Sequence, residues 1–188
     1  MESTPKAVKA HYTRTAVALH WLVALLILAA VILGWTMTGM DISPARLKAF
    51  NYHKWIGVTI LALVVLRLLW RLRHRPPPLE PMPRWQQLAA HAGHVLLYLL
   101  MLAVPLAGWV YSNAAGYRVV YLGKLPLPNL VDRDKALADQ WHEVHELLAT
   151  VLVVVVALHV LAALQHHFIH KDNTLRRMLG SRREGNTR

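Results

Sequence analysis

The stretch WHEVHELLATVLVVVVALH, Trp141 to His159, is apolar enough at its centre to cross a bilayer, yet it carries His142, His145 and His159. Ionisable side chains inside a membrane are costly, so their presence calls for a functional reason. His145 and His159 stand 14 residues apart, which on an α-helix separates them by only about 40° in direction and about 21 Å in height. They share a face, one in each leaflet. His142 lies about 100° from His159, on a different face. The favoured pair is His145 and His159.

Working outward, the whole chain has the composition of a membrane protein. It has 188 residues, 55% of them hydrophobic, and a formal net charge of +11. That is too apolar for an ordinary soluble domain and too basic for an inert anchor. Four apolar runs are long enough to span the hydrocarbon layer: Ala16–Thr38, Lys54–Leu72, Leu88–Tyr111 and Val144–Phe168. Each must be helical, because backbone in lipid has to satisfy its own hydrogen bonds. Pro105 is expected to kink the third. The first run is long for a signal-peptide core and lacks a small-x-small cleavage pattern, so it is expected to stay in the bilayer. The predicted fold is an all-α, four-helix transmembrane bundle. Residues 1–180 read as one integral membrane domain and 181–188 as a polar tail, within the disordered stretch GSRREGNTR. RHRPPPLEPMP, Arg73 to Pro83, is a stiff connector, and the longest loop, Ser112 to Trp141, is expected to carry a short amphipathic element.

Of the 21 Lys and Arg residues, 14 fall in the N-terminal segment, around the connection between helices two and three, and in the C-terminal segment. The positive-inside rule then places both termini in the cytoplasm. The excess positive charge reads as topology and contact with anionic lipid. No nucleic-acid-binding motif accompanies it.

There are twelve histidines. His11, His74, His167 and His170 read as interface residues whose polar tips suit the headgroup level. The pair in the fourth span needs partners at matching depth. His53 opens the second span on the outer side, level with His145. His20 matches His159 on the inner side, with His91 and His94 as rivals that spacing alone leaves in play. With no cysteine, iron–sulfur clusters and covalently attached c-type haem are excluded. HAGH, HEVH and HFIH keep zinc in view, but the deepest histidines sit on different helices without intramembrane carboxylates to complete a shell. Two imidazoles from facing helices can instead clamp a haem iron from both sides, with the porphyrin filling the bundle. One such pair in each leaflet would form an electron path across the membrane.

Several segments together resemble the bacterial cytochrome b561 family over essentially the whole chain. They are AVALHWLVALLI around His20, NYHKWIG around His53, LAAHAGHVLLYLLMLAVPLAG in the third span, HEVHELL and VALHVLAALQHHF in the fourth, and HHFIHKDNTLRRM after it. The resemblance implies two non-covalent haem b groups, one held by His20 and His159 and the other by His53 and His145. WHEVHE departs by offering His142 beside His145. The resemblance further implies a multi-pass protein of the bacterial inner membrane, an oxidoreductase passing electrons from superoxide to ubiquinone. An alternative within related four-helix cytochromes is a membrane-anchor subunit exchanging electrons between a dehydrogenase or hydrogenase partner and quinone. A third reading, metal binding or transport, rests on the H-x-x-H pairs.

Arg46, Lys48 and Lys54, with Arg118 and Lys124, are candidates for steering superoxide to the outer end. Asp41, Asp132, Asp134, Asp139, Glu143 and Glu146 offset them, so an ordinary solvated loop explains the same charges. For the quinone, His91, His94, His167, Lys171 and Asp172 near Trp85 are candidates, because quinone carbonyls need hydrogen-bond donors and proton partners. His91 and His94 equally suit a bracing role toward a haem propionate or a neighbouring helix.

Overall fold

The computed structural model describes residues 11–179; the polar tail, Lys6 and Lys9 lie outside them. Four long helices dominate: α1 (Arg14–Thr38), α2 (Pro44–Arg73), α3 (Arg84–Ala114) and α4 (Lys135–Gln165). Among the described residues these four are long and apolar enough to cross a membrane. Leu25, Leu28 and Ile32 of α1 and Leu158 and Leu161 of α4 expose more than half their surface, as suits side chains solvated by lipid.

Two helices begin earlier than their hydropathy announces. α2 starts at Pro44 rather than Lys54, with the Ser43 side chain accepting from Arg46 N and proline in the first turn. α4 starts at Lys135 rather than Val144, where the Asp134 side chain accepts from Leu137 N. Cap residues and proline favour a helix start regardless of polarity, so both helices extend beyond the apolar run. α3 runs through Pro105 without interruption. α4 passes into a wide π-helical turn, His166–His170, ended by Lys171 at φ 53°, and a short α5 (Thr174–Met178) follows.

The short element expected between α3 and α4 is a strand pair rather than a helix. It folds as a small antiparallel hairpin, β1 (Val120–Tyr121) with β2 (Leu125–Pro126), turning through Leu122 and Gly123 at positive φ. The hairpin is tied to α2 by a Trp55 Nε1 bond to the Val120 carbonyl (2.7 Å) and by Thr59 to the Tyr121 hydroxyl (3.0 Å). Local hydrogen bonding and this anchorage replace amphipathic packing.

α3 packs most extensively on α4, and α1 on α2, giving two helical hairpins joined by α2 against α3. Direct backbone contact between α1 and α4 is sparse. The buried core is Val23 and Ile27 of α1, Ile60 and Val64 of α2, Leu97, Leu100 and Met101 of α3, and Leu152 of α4. Leu152 falls midway along α4 between His145 and His159. The core is therefore an apolar layer at mid-depth, with a histidine group on either side.

At the end of the bundle where α1 begins and α4 ends, α5 packs against the helices. Trp21 Nε1 donates to the Met178 carbonyl at 2.7 Å, and Arg177 reaches the connector through Glu80 (2.7 Å) and the Pro78 carbonyl (2.9 Å).

Candidate functional site

α4 projects His145 and His159 toward the other helices, and each meets one histidine. His145 faces His53 of α2 with ring centroids 6.2 Å apart, and His159 faces His20 of α1 at 6.3 Å. Two imidazoles sharing one metal each bind at about 2 Å, which with the depth of the rings places their centroids about 6 Å apart. Both pairs have that spacing. Among the described residues no group of three or more His, Asp or Glu is gathered to hold a bare metal ion. The donor set fits a group that brings its own equatorial ligands, as a porphyrin does.

At the His53–His145 pair, called outer after the topology expected from the Lys and Arg distribution, the second ring nitrogens are engaged. His53 Nδ1 donates to the Ala30 carbonyl of α1 (3.1 Å), and His145 Nδ1 donates to the Val104 carbonyl of α3 (2.9 Å). A carbonyl can only accept, so the proton is on Nδ1 and Nε2 is left bare as a donor to metal. Each carbonyl stands one turn before a glycine that makes room for the ring. A Cβ on Gly34 would lie 3.4 Å from His53 Cε1, and one on Gly108 only 2.9 Å from His145 Cε1. Sequence reasoning missed Ala30, Gly34, Val104 and Gly108; isolated glycines in apolar spans were the available signal.

The inner pair is built differently. His20 Nδ1 is buried with no hydrogen-bond partner among the described residues. A third ring, His94 of α3, approaches His159 to 5.5 Å. Arg67 lies near enough to His20, His94 and His159 for its charge to act on each. Its guanidinium stacks over Tyr98 at 5.6 Å, and Arg71, one turn on, stacks over the same ring at 5.8 Å.

The remaining candidates separate. His142 packs on Tyr111 (5.0 Å) and is exposed, with no ring contact to His53 or His145 among the described residues. His91 is exposed. Asp172 is engaged with the His166 ring and the Thr174 backbone, and Lys171 is exposed. No hydrogen bond or ring contact among the described residues joins His91 or His94 to Lys171 or Asp172. Burial pushes the Asp172 carboxyl up, but the bonds from Thr174 and His166 outweigh it and hold it below its ordinary value. Arg46 and Lys48 occupy the first turns of α2, with Arg46 over the Phe50 ring at 5.6 Å and Lys48 exposed, while Lys54 is half-buried beside His53.

Comparison with known proteins matches residues 11–181 to the prokaryotic cytochrome b561 family. The chain belongs to that family. It is 38% identical over 171 residues to cytochrome b561 homolog 2 of Escherichia coli K12, covering 90% of this chain and 91% of the relative. It is 36% identical over 183 residues to the probable superoxide oxidase CybB of Yersinia pestis, covering 92% and 97%. Cytochrome b562 of Cereibacter sphaeroides is 28% identical over 177 residues, covering 91% and 96%. Membership in the cytochrome b561 family makes this a multi-pass membrane protein of electron transfer that works through b-type haem.

Proposed function

We propose that the protein is a superoxide:ubiquinone oxidoreductase of the inner membrane with two haem b groups, one held by His53 and His145 and the other by His20 and His159. The observation that carries the reading is the pair of ring separations, 6.2 and 6.3 Å, at two depths of one helix. Bound there, haem b supplies a one-electron centre at each depth. His53, His145, His20 and His159 would each give a ring nitrogen to a haem held there, and with two imidazoles per group the chemistry supplied would be electron transfer rather than oxygen binding. The mid-depth layer around Leu152 excludes water between the pairs. Two superoxide anions lose one electron each and leave as dioxygen, while ubiquinone takes up both electrons and two protons. A relative named as a probable superoxide oxidase supports the choice of donor.

Arg46, Lys48 and Lys54 attract the anionic donor to the outer end, and His91, His94, Lys171 and Asp172 remain the candidates for the quinone end. Of these, half-buried His94 is the one in contact with the inner pair. The test is haem reduction by superoxide in proteoliposomes, with and without ubiquinone. Superoxide should reduce the haems and ubiquinone should reoxidise them. The rate should fall with ionic strength, and several-fold in Arg46→Glu or Lys54→Glu. Haems that stay oxidised under superoxide yet accept electrons from a co-purified dehydrogenase or hydrogenase would replace this reading with the membrane-anchor one.

A further inference from the structure

The two histidine pairs differ in surroundings, and the differences in ring hydrogen bonding and in the Arg67 charge act in one direction. At the outer pair both Nδ1–H groups donate to carbonyls, of Ala30 and Val104, held in place by the room that Gly34 and Gly108 leave. Such a bond makes the imidazole a stronger electron donor to a metal and stabilises its oxidised state. Outside the histidines, the Glu146 carboxylate carries a charge that acts on His145 and favours the oxidised state too. Lys54, next in the chain to His53, is a half-buried cation that acts the other way.

The inner pair has the opposite setting. His20 Nδ1 is buried without a partner among the described residues, and His159 makes no side-chain hydrogen bond there. Instead Arg67, a half-buried cation stacked over Tyr98, lies within electrostatic reach of both rings. No carboxylate forms an ion pair with Arg67 among the described residues. A fixed positive charge in a low-dielectric setting favours the centre that has gained an electron.

We propose that Gly34 with the Ala30 carbonyl, and Gly108 with the Val104 carbonyl, are positioning sockets that fix His53 and His145 as Nδ1–H donors and hold the outer centre at a lower midpoint potential than the inner one. Arg67 raises the inner centre and widens the step. One electron passing from the outer to the inner centre then moves downhill: the outer centre is oxidised by one unit and the inner reduced by one. The fold thereby gives the membrane crossing an inward direction. This rests on the ligand assignment proposed above.

The test is a potentiometric titration of the purified holoprotein, read in the visible spectrum together with haem-to-protein ratio and low-temperature electron paramagnetic resonance. Wild type should titrate in two steps of equal size, and His20→Ala should retain one haem, with the lower midpoint. Gly34→Ala, whose Cβ contact is the milder of the two, should shift the lower midpoint upward and leave the upper one in place. Gly108→Ala should do the same more strongly or lose the outer haem, and Gly39→Ala at the helix end should match wild type. Arg67→Gln should lower only the upper midpoint. The inference is overturned if His20→Ala retains the higher midpoint, or if both glycine variants keep two haems with wild-type midpoints. If His53→Ala and His145→Ala both keep two haems, the ligand assignment itself fails, which is a separate outcome.

Discussion

A histidine that gives one ring nitrogen to a metal commonly donates the other, and that preference, met across helices, sets the outer pair apart from the other described histidines. His53 and His145 meet it with backbone carbonyls of neighbouring helices. His142, three residues from His145, has its ring against Tyr111 and is exposed. Substituting His145 by Ala should therefore lower the haem-to-protein ratio from two to one, while His142→Ala should keep both. The reverse result would mean that the register of α4 is wrong. His94 is the sharper case, because it approaches His159 more closely than His20 does. Helix α3 offers no histidine at its outer end, and the 6.3 Å separation of His20 and His159 leaves room for a shared metal. His20→Ala should lose the inner haem and His94→Ala should retain it. Pyridine-haemochrome quantitation of both variants decides between them.

Among the elements, the segment after α4 is held by few bonds, and they are specific. The π turn ends at Lys171, and Asp172 then folds back on His166 while Thr174 donates its backbone N–H to the same carboxylate. Because the folded Asp172 carboxyl lies below its ordinary 3.8, its bonds contribute stability above that value. The contribution is lost as pH falls through the folded value. Asp172→Asn should cost about 1–2 kcal/mol, seen as a lower Tm than wild type at neutral pH in detergent. The gap should close as pH falls below the folded value, where wild type is protonated as well. An unchanged gap at acid pH would show that the carboxylate charge is not what holds the turn. The starts of α2 and α4 teach a related lesson about elements: Ser43–Pro44 and Asp134 marked both starts in the chain. A hydropathy threshold passes over them because polar first turns stand outside the hydrocarbon.

For the whole molecule, two helical hairpins face one another with sparse backbone contact between α1 and α4, and histidines reach across from both sides. The distribution of Lys and Arg expects the α3–α4 loop outside and α5 inside. The chain has no cysteine, so Asn129→Cys and Asn173→Cys make clean reporters. A membrane-impermeant maleimide should label the first in intact spheroplasts and the second only after lysis; the opposite pattern would invert the topology. The number of spans, their helicity and the likeness to the cytochrome b561 family were all legible in the chain, since each follows from local composition or local motif. So was the shared face of His145 and His159, because helical periodicity sets height and direction along a single helix. The approach of His94 to His159, the sockets at Gly34 and Gly108, and the engagement of Asp172 with His166 were decided by tertiary structure. In lipid, both faces of a span are apolar, so periodicity does not say which face looks inward. Contacts between residues 23 and 41 positions apart, as at His53–Ala30 and His145–Val104, exist only once the helices have packed.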